Sequence, residues 1–375
     1  MGKLLLPLSR RHFIHQMGGV LLALSTAHSM ASFNSGARWA GTAKQGNNYW
    51  LMFFDELGLI VRKIKLPSRA HGLQQSVRGQ IIICGRRPGS WMVLLQHAEA
   101  HPQWIHAAPN RPLSGHCSFS ANGQLIFSAE NALEIGQGVI GVWQSQSGQR
   151  INEWPTYGVG PHEILVSKDG MYLWVANGGI LTHPDHGREK LNLNTMASNL
   201  SCLTLMNGGL SQQYTIKEPK LSMRHIAVNQ HDQVAVACQY QGPVYLRKNL
   251  LLLISKGQIN YLTCEPAVMT NLNNYLGSVA FDKSGTWIGA SSPRGNRVVI
   301  WHLINGMEPI HYDTLIINDA CGISASNNMG GFVISTGMGY LYHYTATTKD
   351  LLIMVPDAGT KDQLSWDNHL TFLSV

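Results

Sequence analysis

Cys117-Ser118-Phe119-Ser120-Ala121-Asn122-Gly123-Gln124-Leu125-Ile126-Phe127 reads as an apolar strand, a tight turn and a second apolar strand. It decides the fold because it recurs. Residues 164–175 repeat it around Asp169-Gly170, and residues 279–288 repeat it around Ser284-Gly285. Looser copies occupy 73–84 around Gly79, 226–237 around Asp232 and 323–335 around Gly330. The turn residues 79, 123, 170, 232, 285 and 330 are therefore 44, 47, 62, 53 and 45 positions apart. Such spacing matches the blade of a β-propeller, in which four strands take about 40–50 residues.

A loop and a hairpin follow each copy, and the hairpins give the blade count. Residues 49–54 pair with 59–66, 91–95 with 104–106, 139–143 with 150–154, and 203–206 with 211–216. Three more follow: 250–254 with 259–263, 298–303 with 308–312, and 341–344 with 351–355. Gly and Asn in the turns accept the positive φ that tight hairpins need. Seven hairpins predict an all-β, seven-bladed propeller over residues 45–375. The first hairpin has no leading strands, whereas 364–372 at the far end mimics a leading pair. Pairing of N- and C-terminal strands within one blade would thus close the ring and remove its open edges.

Residues 1–31 read as a leader rather than as fold. Ser9-Arg10-Arg11-His12-Phe13-Ile14 fits the twin-arginine pattern, residues 17–27 are weakly apolar, and Ser29-Met30-Ala31 offers small residues for cleavage. That apolar run is about half the ~20 residues a spanning helix needs. The expectation is a periplasmic protein exported by the twin-arginine route, not inserted in the membrane after signal removal, with 32–44 as a linker.

The leader carries Lys3, Arg10 and Arg11 and no acid, so the remaining chain has 25 basic against 21 acidic residues. So small an excess, with no block of like charge, gives no basis for a nucleic-acid partner. The six cysteines form no Cys-x-x-Cys or haem-attachment pattern, and Cys84, Cys202 and Cys238 fall inside apolar strands as expected of buried thiols. No Gly-x-Ser-x-Gly elbow, His-Glu-x-x-His or phosphate loop is present.

Chemistry concentrates at the start of the innermost strands, which open on the central channel. The segments there are Arg69-Ala70-His71, Ser114-Gly115-His116, Gly160-Pro161-His162-Glu163, Met223-Arg224-His225, Leu276-Gly277-Ser278 and Ala320-Cys321-Gly322. Four carry His at the equivalent position, and Cys321 makes a fifth candidate. Imidazole and thiol converging on one axis suit a transition metal such as Fe, Cu or Zn. Glu163 would be a ligand or the partner of an imidazole N–H. The alternative is a structural, water-filled ring of histidines.

Loops on the same face are polar: Arg86-Arg87-Pro88-Gly89, Glu130-Asn131, Asn177-Gly178-Gly179, Gln239-Tyr240-Gln241-Gly242 and Ser292-Pro293-Arg294-Gly295. Arg86, Arg87 and Arg294 have the fork geometry to hold carboxylate or phosphate groups; equally, they would tie neighbouring loops together. Thr182-His183-Pro184-Asp185-His186-Gly187-Arg188-Glu189-Lys190 is the longest insertion. His183, Asp185 and Arg188 in it would cap a site, as would Asn177 before it, unless the loop is a salt-bridged surface feature.

Gly136-Gln137-Gly138-Val139-Ile140-Gly141-Val142, Glu153-Trp154-Pro155, Gly160-Pro161-His162-Glu163, Ala176-Asn177-Gly178-Gly179-Ile180, Thr182-His183-Pro184-Asp185, Gly187-Arg188 and Lys190-Leu191-Asn192-Leu193 form long runs. With Arg224-His225, Gly277-Ser278-Val279-Ala280, Ser292-Pro293-Arg294-Gly295 and Cys321-Gly322, they resemble the domain-of-unknown-function family 1513. The resemblance covers about residues 45–345. It implies an exported bacterial propeller whose genes accompany imelysin-type iron-uptake proteins and dihaem peroxidase-like oxidoreductases. The sequence departs from the family at Glu130-Asn131-Ala132, where Glu-Asn-Asp is common.

The expected function is a binding protein with a His-rich channel face, accessory to iron acquisition or redox handling through a bound metal, metal complex or partner. The partners implied are periplasmic iron-uptake or haem-containing redox proteins. The competing expectation is a metal-dependent enzyme, lactonase- or oxidoreductase-like, with His162 or His225 as base or ligand.

Overall fold

The computed structural model describes residues 36–187, 189–305, 308–354 and 364–374. The expected leader lies outside them. Seven four-stranded antiparallel sheets surround a central channel, one per blade. Their innermost strands are β4 (Ala70–Gln75), β8 (Leu113–Phe119), β12 (Pro161–Val166), β16 (Leu221–Val228), β20 (Ser278–Phe281), β24 (Ala320–Ala325) and β28 (Leu364–Phe372). Each touches the next, and β28 touches both β24 and β4, so the ring is closed.

The second and third strands of a blade are sandwiched between neighbouring blades, and their sequences show it. β5 (Ile81–Gly85) and β6 (Trp91–Leu95) are buried at every position, as sheets covered on both faces require. Outermost strands read differently: β15 (Leu210–Thr215) is LSQQYT, and none of its residues is buried. Apolar contacts therefore run from blade to blade, as where Phe127 and Ile140 of one blade meet Ile164 and Val175 of the next.

A turn with left-handed backbone follows six of the inner strands. Gly79, Gly123, Gly170, Gly285 and Gly330 have φ between 66° and 79°, and Asp232 adopts 55° in the equivalent place. Asp tolerates that region because its short polar side chain can bond locally. The residue that opens the turn supplies the cap: Ser167 Oγ accepts from Tyr172 N at 3.0 Å, and Asp282 Oδ1 from Trp287 N at 3.0 Å.

Closure differs in detail from the sequence expectation. The stretch 32–44, expected to be a linker, contains β1 (Trp39–Gln45), which pairs with β2 (Asn48–Phe54) on one side and β28 on the other. The first blade thus takes three strands from the N-terminal end and one from the C-terminal end. Small residues hide β1 from periodicity: Ala40, Gly41, Thr42 and Ala43 lie where Trp366 and Leu370 pack close. A Cβ on Gly41 would lie 2.7 Å from Leu370 Cδ2. Among the described residues no helix is long and apolar enough to cross a membrane.

Candidate metal centre at the channel

Inner strands of a propeller crowd one another at the axis, so a side chain there is aimed by local backbone irregularity. Five of the seven carry histidine in or beside a break in pairing register. The breaks fall between Ala70 and Leu73 around His71, and between Leu113 and Cys117 around His116. They recur between Pro161 and Ile164 around His162, and between Met223 and His225. On β28 the break skips Asp367, Asn368 and His369. Bulges of this kind re-aim side chains next to functional sites. β20, which carries Ser278 instead, pairs with its neighbour without a break.

The result is a buried knot of imidazoles. His71, His116, His162, His225 and His369 are all at most 9% exposed. Ring centroids lie 4.8 Å apart for His71–His116, 4.6 Å for His71–His369, 4.7 Å for His116–His369 and 4.7 Å for His162–His225. Donor atoms of His71, His116 and His162 lie within 4.8 Å of one another, as do those of His71, His225 and His369 and those of His116, Glu163 and His225.

Burial pushes all five imidazoles below their ordinary pKa, and for His116, His162, His225 and His369 the neighbouring imidazoles push in the same direction. At neutral pH the rings are therefore uncharged, with one lone pair each. His116 Nε2, His162 Nδ1 and His369 Nε2 are buried with no hydrogen-bond partner. An unsatisfied buried polar atom costs about 1–3 kcal/mol, so three on facing rings are an expense that a bound ion would remove.

Two carboxylates hold the knot from outside. Glu163 Oε2 lies 3.2 Å from His225 Nδ1 and accepts from the Ile226 amide at 2.9 Å, while Oε1 lies 3.5 Å from His116 Nδ1. Burial raises the Glu163 pKa, partly opposed by His369 and the Ile226 amide. Asp367 Oδ1 lies 3.2 Å from His71 Nδ1, and Oδ2 accepts from Arg69 Nε at 2.5 Å. Burial alone would raise the Asp367 pKa; His71 and Arg69 outweigh it and hold the carboxyl well below the usual range. A carboxylate on Nδ1 fixes the tautomer with its proton there and leaves Nε2 to face inward. Glu163 suits both expected roles: it is the partner of His225 Nδ1, and its carboxylate is also one of the converging donors with His116 and His225.

The other expected site residues are placed as follows. Cys321 lies outside the group of converging donor atoms; its Sγ is 3.2 Å from its own loop's Asp319 carbonyl. The register break on β24 runs from Ala320 to Ile323, so Cys321 holds the place that His71 has on β4, but its thiol turns to its own loop. Asn177 is fully buried and spends its amide nitrogen on Thr156 O at 3.0 Å and Asn199 Oδ1 at 2.8 Å. His183 Nδ1 accepts from the Asp185 amide at 3.3 Å, so both residues serve their own one-turn helix, Pro184–His186. Arg188 lies outside the described residues. The Arg294 guanidinium stacks 4.4 Å over the Tyr275 ring. The charges of Arg87 and Arg294 reach Lys190, and that of Arg86 reaches His71. These basic residues lie on loops from different blades.

His369 and Asp367 were missed by the sequence reading, though the signal existed. Once 364–372 is the innermost strand of the first blade, its His369 occupies the place of the other four histidines.

Comparison with known proteins adds the family. A family model described as "Protein of unknown function (DUF1513)" matches residues 64–373. No curated protein matches the chain.

Proposed function

This chain belongs to the DUF1513 family of proteins of unknown function, and we propose that its channel holds a transition-metal ion on the imidazoles of His71, His116, His162, His225 and His369. The single observation that carries this is the convergence of five buried, uncharged imidazoles, three of them with a nitrogen lacking any partner. Nitrogen-rich sites suit Fe, Cu or Zn. The donor atoms of each group lie within 4.8 Å of one another, so a small inward movement would bring them to the ~2 Å bonds of one ion.

In such a centre the ion supplies Lewis acidity or, for iron and copper, electron transfer. The chain's own residues do the rest. Asp367 and Glu163 keep protons on Nδ1 of His71 and His225, which orients both rings. Burial within the closed ring of inner strands keeps the imidazoles neutral.

We place this centre in an exported, periplasmic protein accessory to iron acquisition or redox handling. The support for that context is the Ser9–Ile14 twin-arginine pattern and the genomic company of the family it resembles. The test is metal content. Protein exported natively should carry about one equivalent of iron, copper or zinc, as one mononuclear site does. A folded His116→Ala/His162→Ala/His225→Ala variant should carry none. No metal in the parent, even after reconstitution with each ion, would overturn the proposal.

A further inference from the structure

The channel mouth contains one group that the fold does not account for. Arg224 sits in the β16 register break, directly before His225. It is 3% exposed, and its Nε is buried with no hydrogen-bond partner. Among the described residues it has no ion pair and no hydrogen bond. A buried guanidinium without a counter-ion is costly, because desolvation by a low-dielectric interior is not repaid. Other partly buried arginines have carboxylates: Arg69 meets Asp367, Arg111 meets Glu134 and Glu153, and Arg150 meets Glu130 and Glu153.

Its surroundings are basic as well. The Arg224 pKa falls to about 9, through burial first and then the charge of Arg87. Lys190 is lowered by burial and by Arg224, Arg294 and Arg87. These four cations come from separate blades; Lys190 Nζ donates to Gln241 Oε1 at 2.5 Å and the Arg294 guanidinium stacks over Tyr275, whereas the Arg224 guanidinium has no such partner among the described residues. The Gly178 backbone approaches the guanidinium closely and leaves no room for a side chain between them: a Cβ there would lie 3.3 Å from Arg224 Cζ and Nη1.

We propose that Arg224, with Arg87, Arg294 and Lys190 around it, is an oxyanion site that receives a carboxylate or phosphate group at the mouth of the channel. Guanidinium binds either through paired N–H donors. The charge of Arg224 reaches both His162 and His225, so a bound oxyanion sits beside the imidazole knot. The protein's ligand is then an anionic small molecule or an anionic metal complex. This deepens the metal reading by giving the channel a ligand class, but it rests on Arg224 and not on the imidazoles.

The test uses the full chain stripped of metal, so that it stands or falls separately from metal binding. Inorganic phosphate and succinate are titrated by calorimetry into the parent, into Arg224→Met and into His116→Ala/His162→Ala/His225→Ala. Saturable binding to the parent is expected, and phosphate against succinate distinguishes the two sources. Arg224→Met should weaken it at least ~30-fold, the cost of losing one partner of a buried charge pair, while the histidine variant retains it. Melting adds a readout that a structural arginine would not give. Without anion, Arg224→Met should melt above the parent, since it removes an unpaired buried charge, and added phosphate or succinate should close the gap. Absence of saturable binding of both anions to the parent, or equal binding by Arg224→Met, would overturn the site.

Discussion

Asp367 Oδ1 stands 3.2 Å from His71 Nδ1, so the strand that closes the ring also orients the first imidazole of the neighbouring blade. Closure and site are one construction here. Asp367→Asn keeps the shape but loses the charge that holds both His71 and Arg69. Outer carboxylates of this kind are worth roughly 10–100-fold in metal affinity. That loss is expected in chelator competition, with the far-ultraviolet spectrum unchanged; parent-like affinity would show that His71 needs no orienting partner.

A second construction lies in the third blade. Gly141 faces Glu130, and a Cβ there would lie 1.9 Å from Glu130 Oε1 and 2.6 Å from Ser128 Oγ. Glu130 cannot swing aside cheaply: it is fully buried and tied to Ser128 Oγ at 2.5 Å and Arg150 Nη2 at 2.8 Å. Gly141→Ala should therefore cost about 1–3 kcal/mol, as overpacking does. Urea unfolding checks it, and Glu130→Ala in the same chain should make the alanine's cost smaller than in the parent.

Glu130 also carries a pH dependence. Burial raises its pKa above the ordinary 4.5, with Ser128 and Arg150 opposing only in part. Between the ordinary and the raised value the folded chain binds a proton that the unfolded chain has released. Stability from this group is therefore complete below the ordinary pKa and is lost as pH rises through the raised one. Glu130→Gln lacks that loss. Compared by urea unfolding at about pH 4.5 and about pH 7, the parent should lose ground to the variant at the higher pH. Parallel behaviour would mean that Glu130 has an ordinary pKa in the fold.

Much of this molecule is legible in its sequence because propeller blades repeat, and a repeat lets one position be read seven times. The turn at Gly123 predicts the turn at Gly285, and His71 predicts the significance of His225. Legibility ended where the repeat is cut. β1 and β28 belong to one blade but lie at opposite ends of the chain, so this blade's inner strand and its neighbour do not follow one another in sequence as in the other six. The small residues of β1 suppress its apolar pattern, and His369 is separated by the whole ring from the histidines it joins. Arg224 was illegible for another reason: sequence does not tell a buried arginine without a counter-ion from one that ties two loops together.

His369 and Cys321 separate the reading by position from the reading by geometry. Both sit on inner strands, and both are soft or borderline donors suited to a transition metal. Only His369 points a partnerless buried nitrogen at the knot; the Cys321 thiol lies 3.2 Å from the Asp319 carbonyl, outside the groups of converging donor atoms. His369→Ala should thus weaken metal binding by at least the roughly tenfold cost of losing an outer partner, while Cys321→Ser leaves metal content and affinity at parent values. Loss of metal on Cys321→Ser would move the centre along the channel toward β24 and away from the five imidazoles.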